Sequence, residues 1–534
     1  MFAEDERDRI NAFDWSFVPV APVSPPASAT VEITAPVDAP SERRGGSRTA
    51  PTQANMPPSI GQVMRSGGFD CVIGNPPYIR IQAMKEWAPV EVEFYKQHYK
   101  AASSGNYDIY VVFIEKGLGL LNKKGKLGFI CPHKFFNAQY GAPLRRLLAD
   151  GKHLAHVVHF SDQQVFDGAT TYTCLLFLDG AGSKQLQFEK VQELGAWRAT
   201  GEAAKAEIPT ANIPSLEWNF MAGNGTKLFE KLSKMPVKLG RISNGMFVGQ
   251  QTSADTVYLF KEFHRGKRKD TTKVFSKELD EFVEIESGIL KPVVRSGSIH
   301  RYSAQTTALI LFPYEVKDCS ARLFNTGEMK REYPLAWEYL NRNKSLLENR
   351  EKGIFKDAEW HRFGRSQNLG MWEQPKLMVP YMITELAAYL DRADNYYFIN
   401  VTTGGYGVTC DESAGSLAYL CGLLNSRLLD FYLKKVSTNF HGGYFAANKQ
   451  YIEQLPIRPI NFSNPADKAR HDKMVELVDR MLELNKQKHS GKLAPSQVER
   501  VDREIAATDA EIDDLVYELY GIMEQERKII AETS

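Results

Sequence analysis

Residues 67–80 run Gly-Gly-Phe-Asp-Cys-Val-Ile-Gly-Asn-Pro-Pro-Tyr-Ile-Arg, and their order decides the fold. Phe69 to Ile73 is a short apolar run closed by Gly74, a pattern that predicts a buried strand of a parallel sheet. Asn75-Pro76-Pro77-Tyr78 follows at once, so the tetrapeptide falls in a loop at the carboxyl end of that strand, where α/β sheets hold their ligands. The two prolines fix the backbone and remove two N–H donors, leaving a rigid loop whose exposed polar groups are hydrogen-bond acceptors.

Acceptors in that position suit an exocyclic amino group. The side-chain oxygen of Asn75 and the carbonyl of Pro76 can each accept from the amino group of adenine and hold its nitrogen lone pair toward a methyl donor. Tyr78 offers a face on which a base taken out of a helix can stack. The planar amide nitrogen of a glutamine side chain would fit the same acceptors.

Working downstream, Asp108 to Leu121 (DIYVVFIEKGLGLL) carries apolar residues at helical spacing, and Lys124 to Cys131 predicts the next strand. Residues 141–149 predict a helix, and HLAHVVHF (153–160) and TYTCLLFL (171–178) predict two further strands. Strand–helix alternation implies an α/β domain with a mainly parallel sheet. The last two strands are joined by a short link containing Asp167-Gly168, too short for a crossover helix, so they should pair antiparallel.

From 220 to 460 the pattern is less regular, rich in aromatic residues and glycine turns such as Thr403-Gly404-Gly405-Tyr406-Gly407, which implies an α+β domain. Beyond Pro465, Met474, Leu477, Val478, Met481 and Leu484 form one apolar stripe, and Val498, Val501, Ile505, Ile512, Leu515 and Leu519 another. Lys488 to Pro495, which includes Gly491, would turn the two helices into an antiparallel hairpin.

Upstream the texture is different. Residues 19–60 are dense in Pro, Ala, Ser and Thr with few large apolar side chains, and are expected to be a disordered insert because they cannot offset their ordering entropy. Overall, the 534 residues are 43% hydrophobic and 25% charged, which is a soluble globular composition long enough for two or three domains. The net charge of +1 excludes a uniformly basic nucleic-acid binder but not one with positive charge gathered on one face. Cys71, Cys131, Cys174, Cys319, Cys410 and Cys421 form no C-x-x-C pair or zinc spacing, so buried free thiols and no metal are expected. No run approaches a membrane span and the start lacks a signal-peptide pattern, so a cytoplasmic protein is expected.

FDCVIGNPPYIR, then GNYDIYVVFIEKGLGLL, KGKLGFICPHKFF and FSDQQVFDGATTYTCLLFL resemble, in order and spacing, the catalytic blocks of TaqI-like and type IIG adenine-specific DNA methyltransferases of restriction-modification systems. INAFDWSF (10–17) resembles the stretch that precedes the NPPY strand in type IIG enzymes, where no long insert intervenes. The resemblance implies that Asn75, Pro76, Pro77 and Tyr78 hold a flipped adenine, that Phe166 packs against the same base, and that Phe113, Asp108 and Tyr110 lie near S-adenosylmethionine. Less sharply, residues 220–460 resemble the TaqI-like specificity domain, and the terminal hairpin resembles the helices that support such domains. Lys267, Arg268, Lys269, Arg295, His300, Arg301, Arg362, Arg365 and Lys449 are then the candidates for contacting double-stranded DNA.

The glycine-rich cofactor loop that the family carries ahead of NPPY has no counterpart before Phe69: Gly117-x-Gly119 falls inside a helix, and Gly180-Ala181-Gly182 leads into another strand. The expected fold is therefore a partial Rossmann-like methyltransferase sheet lacking its first strands, an α+β target-recognition domain and a helical hairpin. The expected boundaries are a remnant at 1–18, the insert at 19–60, the catalytic part at 61–215, the specificity domain at 216–462 and the hairpin at 463–534. Such a chain either completes its site with a separate N-terminal methyltransferase or nuclease polypeptide, or is a catalytically silent DNA-binding specificity fragment. The missing neighbour would leave the Phe69–Gly74 strand as an open sheet edge.

Overall fold

A computed structural model of the chain describes residues 30–32, 60–166, 171–220, 222, 225–411, 415–440 and 442–533. The remnant at 1–18 and most of the insert at 19–60 lie outside the described residues. The chain divides into two compact units, Met1–Gly223 and Asn224–Ser534.

The first unit is built on a seven-stranded sheet in the order β1-β2-β3-β5-β4-β6-β7. Its strands are β1 (Thr30–Glu32), β2 (Phe69–Gly74), β3 (Leu121–Pro132), β4 (Leu154–His159), β5 (Thr173–Asp179), β6 (Gln185–Lys190) and β7 (Ala204–Pro209). Besides a short helix at Ile60–Arg65, the helices are α1 (Ile81–Trp87), α2 (Pro89–His98), α3 (Tyr110–Leu120), α4 (Ala142–Asp150) and α5 (Leu194–Thr200). The FDCVIG run is strand β2, the 108–121 run contains α3 with Gly117 and Gly119 inside it, and β4 pairs antiparallel with β5.

Two expectations change here. The sheet is mixed, not mainly parallel: β1–β2, β2–β3 and β4–β6 are parallel, whereas β3–β5, β4–β5 and β6–β7 are antiparallel. The cause is the short link after β4, which carries no helix among its described residues, so the chain returns directly and inserts β5 between β3 and β4. The β2 edge is also not open, because Thr30, Val31 and Glu32 pair in parallel with Cys71, Val72 and Ile73. Part of the expected disordered insert is therefore a strand, Thr30–Glu32.

One core holds the unit together. Val72, Leu127, Phe129, Cys131, Cys174, Leu176 and Leu178 from the sheet pack with Tyr110, Val111 and Ile114 of α3 and Leu144 and Leu148 of α4. Trp218, only 2% exposed, joins this core and stacks on Phe220, so the first unit extends past residue 215 to Gly223.

In the second unit a large core runs through several small sheets, from Phe247 and Tyr258 to Trp372 and Phe398. A three-stranded antiparallel sheet comprises β8 (Phe263–Arg265), β9 (Thr271–Ser276) and β10 (Glu281–Glu286). After α6 (Leu417–Leu424) and α7 (Arg427–Val436) come the two expected long helices, α8 (Pro465–Lys488) and α9 (Pro495–Tyr520), with Gly491 at positive φ in the turn between them. A further helix, α10 (Glu524–Thr533), was not expected. The hairpin is part of this unit: α8 lies so close to α6 that a Cβ on Gly422 would come within 2.3 Å of the Met474 sulfur. All six cysteines are free, but Cys319 is exposed at positive φ in a turn, contrary to the expectation of buried thiols throughout. No helix among the described residues is long and apolar enough to cross a membrane.

Candidate active site

The Asn75–Tyr78 loop leaves the carboxyl end of β2 and is fastened just beyond its prolines. Ile109 donates its N–H to the Ile79 carbonyl and Ile81 donates to the Tyr107 carbonyl, both at 2.9 Å, with Arg80 and Asp108 paired between them. The loop thereby meets the start of α3, although the prolines themselves can donate nothing. Asn75 is exposed, Pro76 is buried, and Pro77 and Tyr78 are half-buried.

Tyr78 is held from two sides. Its hydroxyl donates to the Ile130 carbonyl at 3.0 Å, and its ring meets that of Tyr110 edge-on, with centroids 6.3 Å apart. Burial raises the Tyr78 phenol well above its ordinary range, so the hydroxyl stays a neutral donor at any physiological pH. The ring is thus fixed in orientation and keeps part of its surface open.

Behind it lies a network that sequence reasoning did not find. Tyr110 and Tyr140 share a hydrogen bond of 2.9 Å, and the Tyr140 hydroxyl lies beside the Asp108 carboxyl. Desolvation pushes the Asp108 carboxyl up, opposed by Lys134, Arg80 and the Tyr140 hydroxyl. Of the residues that the family resemblance sets near S-adenosylmethionine, half-buried Phe113 and Asp108 fit a lining role. Tyr110 does not, because it is 0% exposed; its contacts make it a support for Tyr78 and not a surface for a ligand. Nothing in the local pattern distinguishes Tyr110 from its neighbours on the helix, since only the packing of α3 on β3 turns it inward.

Phe166 is half-buried in the β4–β5 link, and residues 167–170 beyond it lie outside the described residues. The same carboxyl edge of the sheet brings together His133, which follows β3, and His159, which ends β4; their rings lie 4.0 Å apart. His159 Nδ1 faces the Ser161 N–H at 3.0 Å, and burial pushes the His133 imidazole down to about 4, so both rings are neutral near pH 7. Arg145, 1% exposed, donates to the carbonyls of Phe135, Ala138 and Leu216 and so fixes the segment after β3.

The basic candidates of the second unit separate into two groups. Lys267, Arg268, Lys269, His300 and Lys449 are exposed, and Arg295 is half-buried. Arg301 is committed elsewhere: its guanidinium is held by both oxygens of Asp509 and by the Asn425 carbonyl. Arg362 is paired with Asp357 at 2.6 Å and lies over the Phe355 ring, and Arg365 is paired with Glu351 at 2.8 Å. Arg301 is structural in this arrangement, whereas the ion pairs of Arg362 and Arg365 are at the surface, with 27% and 51% of those side chains exposed.

With this geometry established, comparison with known proteins gives two family matches. Residues 3–166 match the Eco57I restriction-modification methylase family, and residues 324–457 match the TaqI-like C-terminal specificity domain. The chain joins an Eco57I-type methylase segment to a TaqI-like specificity domain. The methylase match takes in INAFDWSF as well as the NPPY loop, and the specificity match is narrower than the 216–462 expected. Among relatives, the type II restriction enzyme and methyltransferase RM.Eco57I of Escherichia coli is 28% identical over 422 residues, covering 76% of this chain and 42% of that protein. The type II methyltransferase M.PaeR7I of Pseudomonas aeruginosa is 26% identical over 408 residues, covering 73% of this chain and 65% of that one. The chain thus spans less than two thirds of either relative. A solved structure of the type IIL restriction-modification enzyme MmeI in complex with DNA is similar in fold, with a TM-score of 0.54 at 14% identity, covering 87% of this chain and 56% of that one.

Proposed function

We propose that this chain is part of a site-specific DNA methyltransferase of a restriction-modification system, acting on the exocyclic amino group of an adenine turned out of double-stranded DNA. The observation that carries the reading is the NPPY loop itself: an exposed Asn75 beside a half-buried Tyr78 whose hydroxyl and ring edge are both anchored. In this reading Asn75 and the Pro76 carbonyl accept from the amino group and orient its nitrogen, and Tyr78 stacks on the base with Phe166 opposite. S-adenosylmethionine, when bound, supplies the methyl group; Phe113 and Asp108 line its side of the site. The first unit, up to Gly223, is the catalytic part, Asn224–Ser534 with its terminal hairpin selects the target, and the work takes place in the cytoplasm. The glycine-rich cofactor loop that this reading requires comes from residues outside the described catalytic part, in the same polypeptide or in a second one.

Methyl transfer to DNA by the full chain, alone and with an added polypeptide carrying the cofactor loop, tests this. Transfer to adenine is expected where the cofactor loop is present, and Asn75→Ala should abolish it while leaving DNA affinity within a few fold, since the lost acceptor acts at the reaction and not on phosphates. Near-normal transfer by Asn75→Ala would overturn the assignment. DNA binding without transfer under any pairing would favour a silent specificity fragment.

A further inference from the structure

Neither family match includes residues 167–323, yet β8–β10 lie within that span. On β9, Val274 faces inward and is fully buried, as is Ile285 on β10. The opposite face carries His264, Lys273, Phe275 and Phe282, since Lys273 is paired with His264 and Phe275 with Phe282. Phe282 is 41% exposed; its ring lies 5.2 Å from that of Phe275 and 6.1 Å from that of His264, with the Lys273 ammonium 4.9 Å away.

The β8–β9 turn presents charge beside this aromatic face. Residues 263–273 hold five Lys or Arg against one Asp, in a chain whose net charge is only +1. The turn is tight: Gly266 donates to the Thr271 carbonyl at 3.0 Å, and a Cβ on Gly266 would come within 2.6 Å of that same oxygen. Lys267, Arg268 and Lys269 are therefore displayed from a fixed backbone. Of the carboxylates of β10, Glu281 and Glu286 are engaged away from the turn and only Glu284 faces it, beside Arg268, so Lys267 and Lys269 keep their charge unpaired by β10. Glu281 pairs with Arg342, and Glu286 accepts from the N–H groups of Leu335 and Ala336. Glu284 accepts from the Lys267 N–H at 2.8 Å and sits 3.9 Å from Arg268.

We infer that this face is a docking surface for duplex DNA, with the 267–269 turn on the phosphate backbone and Phe282 against the sugars and bases beside it. Charge complementarity names a polyanion, and an apolar ring between cations can lie along the sugars of a backbone whose phosphates those cations hold. The inference rests on the reading of the chain as a DNA-directed enzyme.

The test is titration of a labelled mixed-sequence duplex with the full chain over a range of salt concentrations. Combined Lys267→Ala, Arg268→Ala and Lys269→Ala should weaken binding at least tenfold and reduce the slope of log affinity against log salt by about 2–3. Phe282→Ala should weaken binding by about five- to tenfold with the slope unchanged, since it removes contact area and no charge. The single Lys269→Glu, at an exposed turn position, gives the same direction without touching the sheet. If the parent chain binds duplex and all three variants bind as it does, this inference alone falls. If the parent does not bind duplex in a salt-dependent manner, the target-recognition reading falls with it. Tighter binding to the single strand, lost in Phe282→Ala, would overturn the duplex assignment.

Discussion

Replacing Tyr78 by Phe and by Ala separates the two ways the site uses this residue. Phe removes only the hydroxyl and its 3.0 Å bond to the Ile130 carbonyl, in a partly buried setting where such a bond contributes about 1 kcal/mol. In a unit of this size that corresponds to a fall in Tm of about 2–4 °C. Ala removes in addition a half-buried ring and its edge-on contact with Tyr110, which raises the loss to about 2–3 kcal/mol. Scanning calorimetry of the full chain should show these two steps in the transition of the first unit. Methyl transfer in the completed enzyme should split differently. The Phe variant keeps the stacking face and should retain activity within a few fold, whereas the Ala variant should lose about 5–150-fold, the usual range for one base–aromatic stack. If Phe and Ala lost activity equally, the hydroxyl and not the ring would carry the function, and the stacking role would be refuted.

Arg301→Met should destabilise the second unit by roughly 2–3 kcal/mol in denaturant titrations, less than a fully buried pair because Arg301 and Asp509 keep 19% and 17% of their side-chain surface exposed. Adding Asp509→Asn should recover part of that loss, and DNA affinity of the folded variant should match the parent; a large affinity loss would return Arg301 to the DNA contacts. Asp513, whose carboxyl is raised to about 6 by burial and then by Asp509, favours folding in its neutral form, so its contribution is complete below about pH 4 and is lost as pH rises through 6. Asp513→Asn should therefore raise stability at pH 8 by about 1–3 kcal/mol and change little at pH 4, and a gain that did not shrink on acidification would contradict this.

The sequence by itself determined the elements whose evidence is local. The FDCVIG strand, the loop that follows it, helix α3 and the two stripes of the terminal hairpin all rest on contiguous periodicity and on prolines and glycines at fixed offsets, which physical chemistry reads within a dozen residues. The tertiary structure decided what depends on partners far along the chain. Tyr110 and Phe113 look alike on a helix until α3 packs on the sheet and buries one of them fully. Arg301 looks like any surface cation until Asp509, 208 residues later, captures it. Thr30–Glu32 looks like linker until β2 offers it an edge. In each case burial or pairing energy comes from a long-range neighbour, and no pattern in the residue's own segment carries that information.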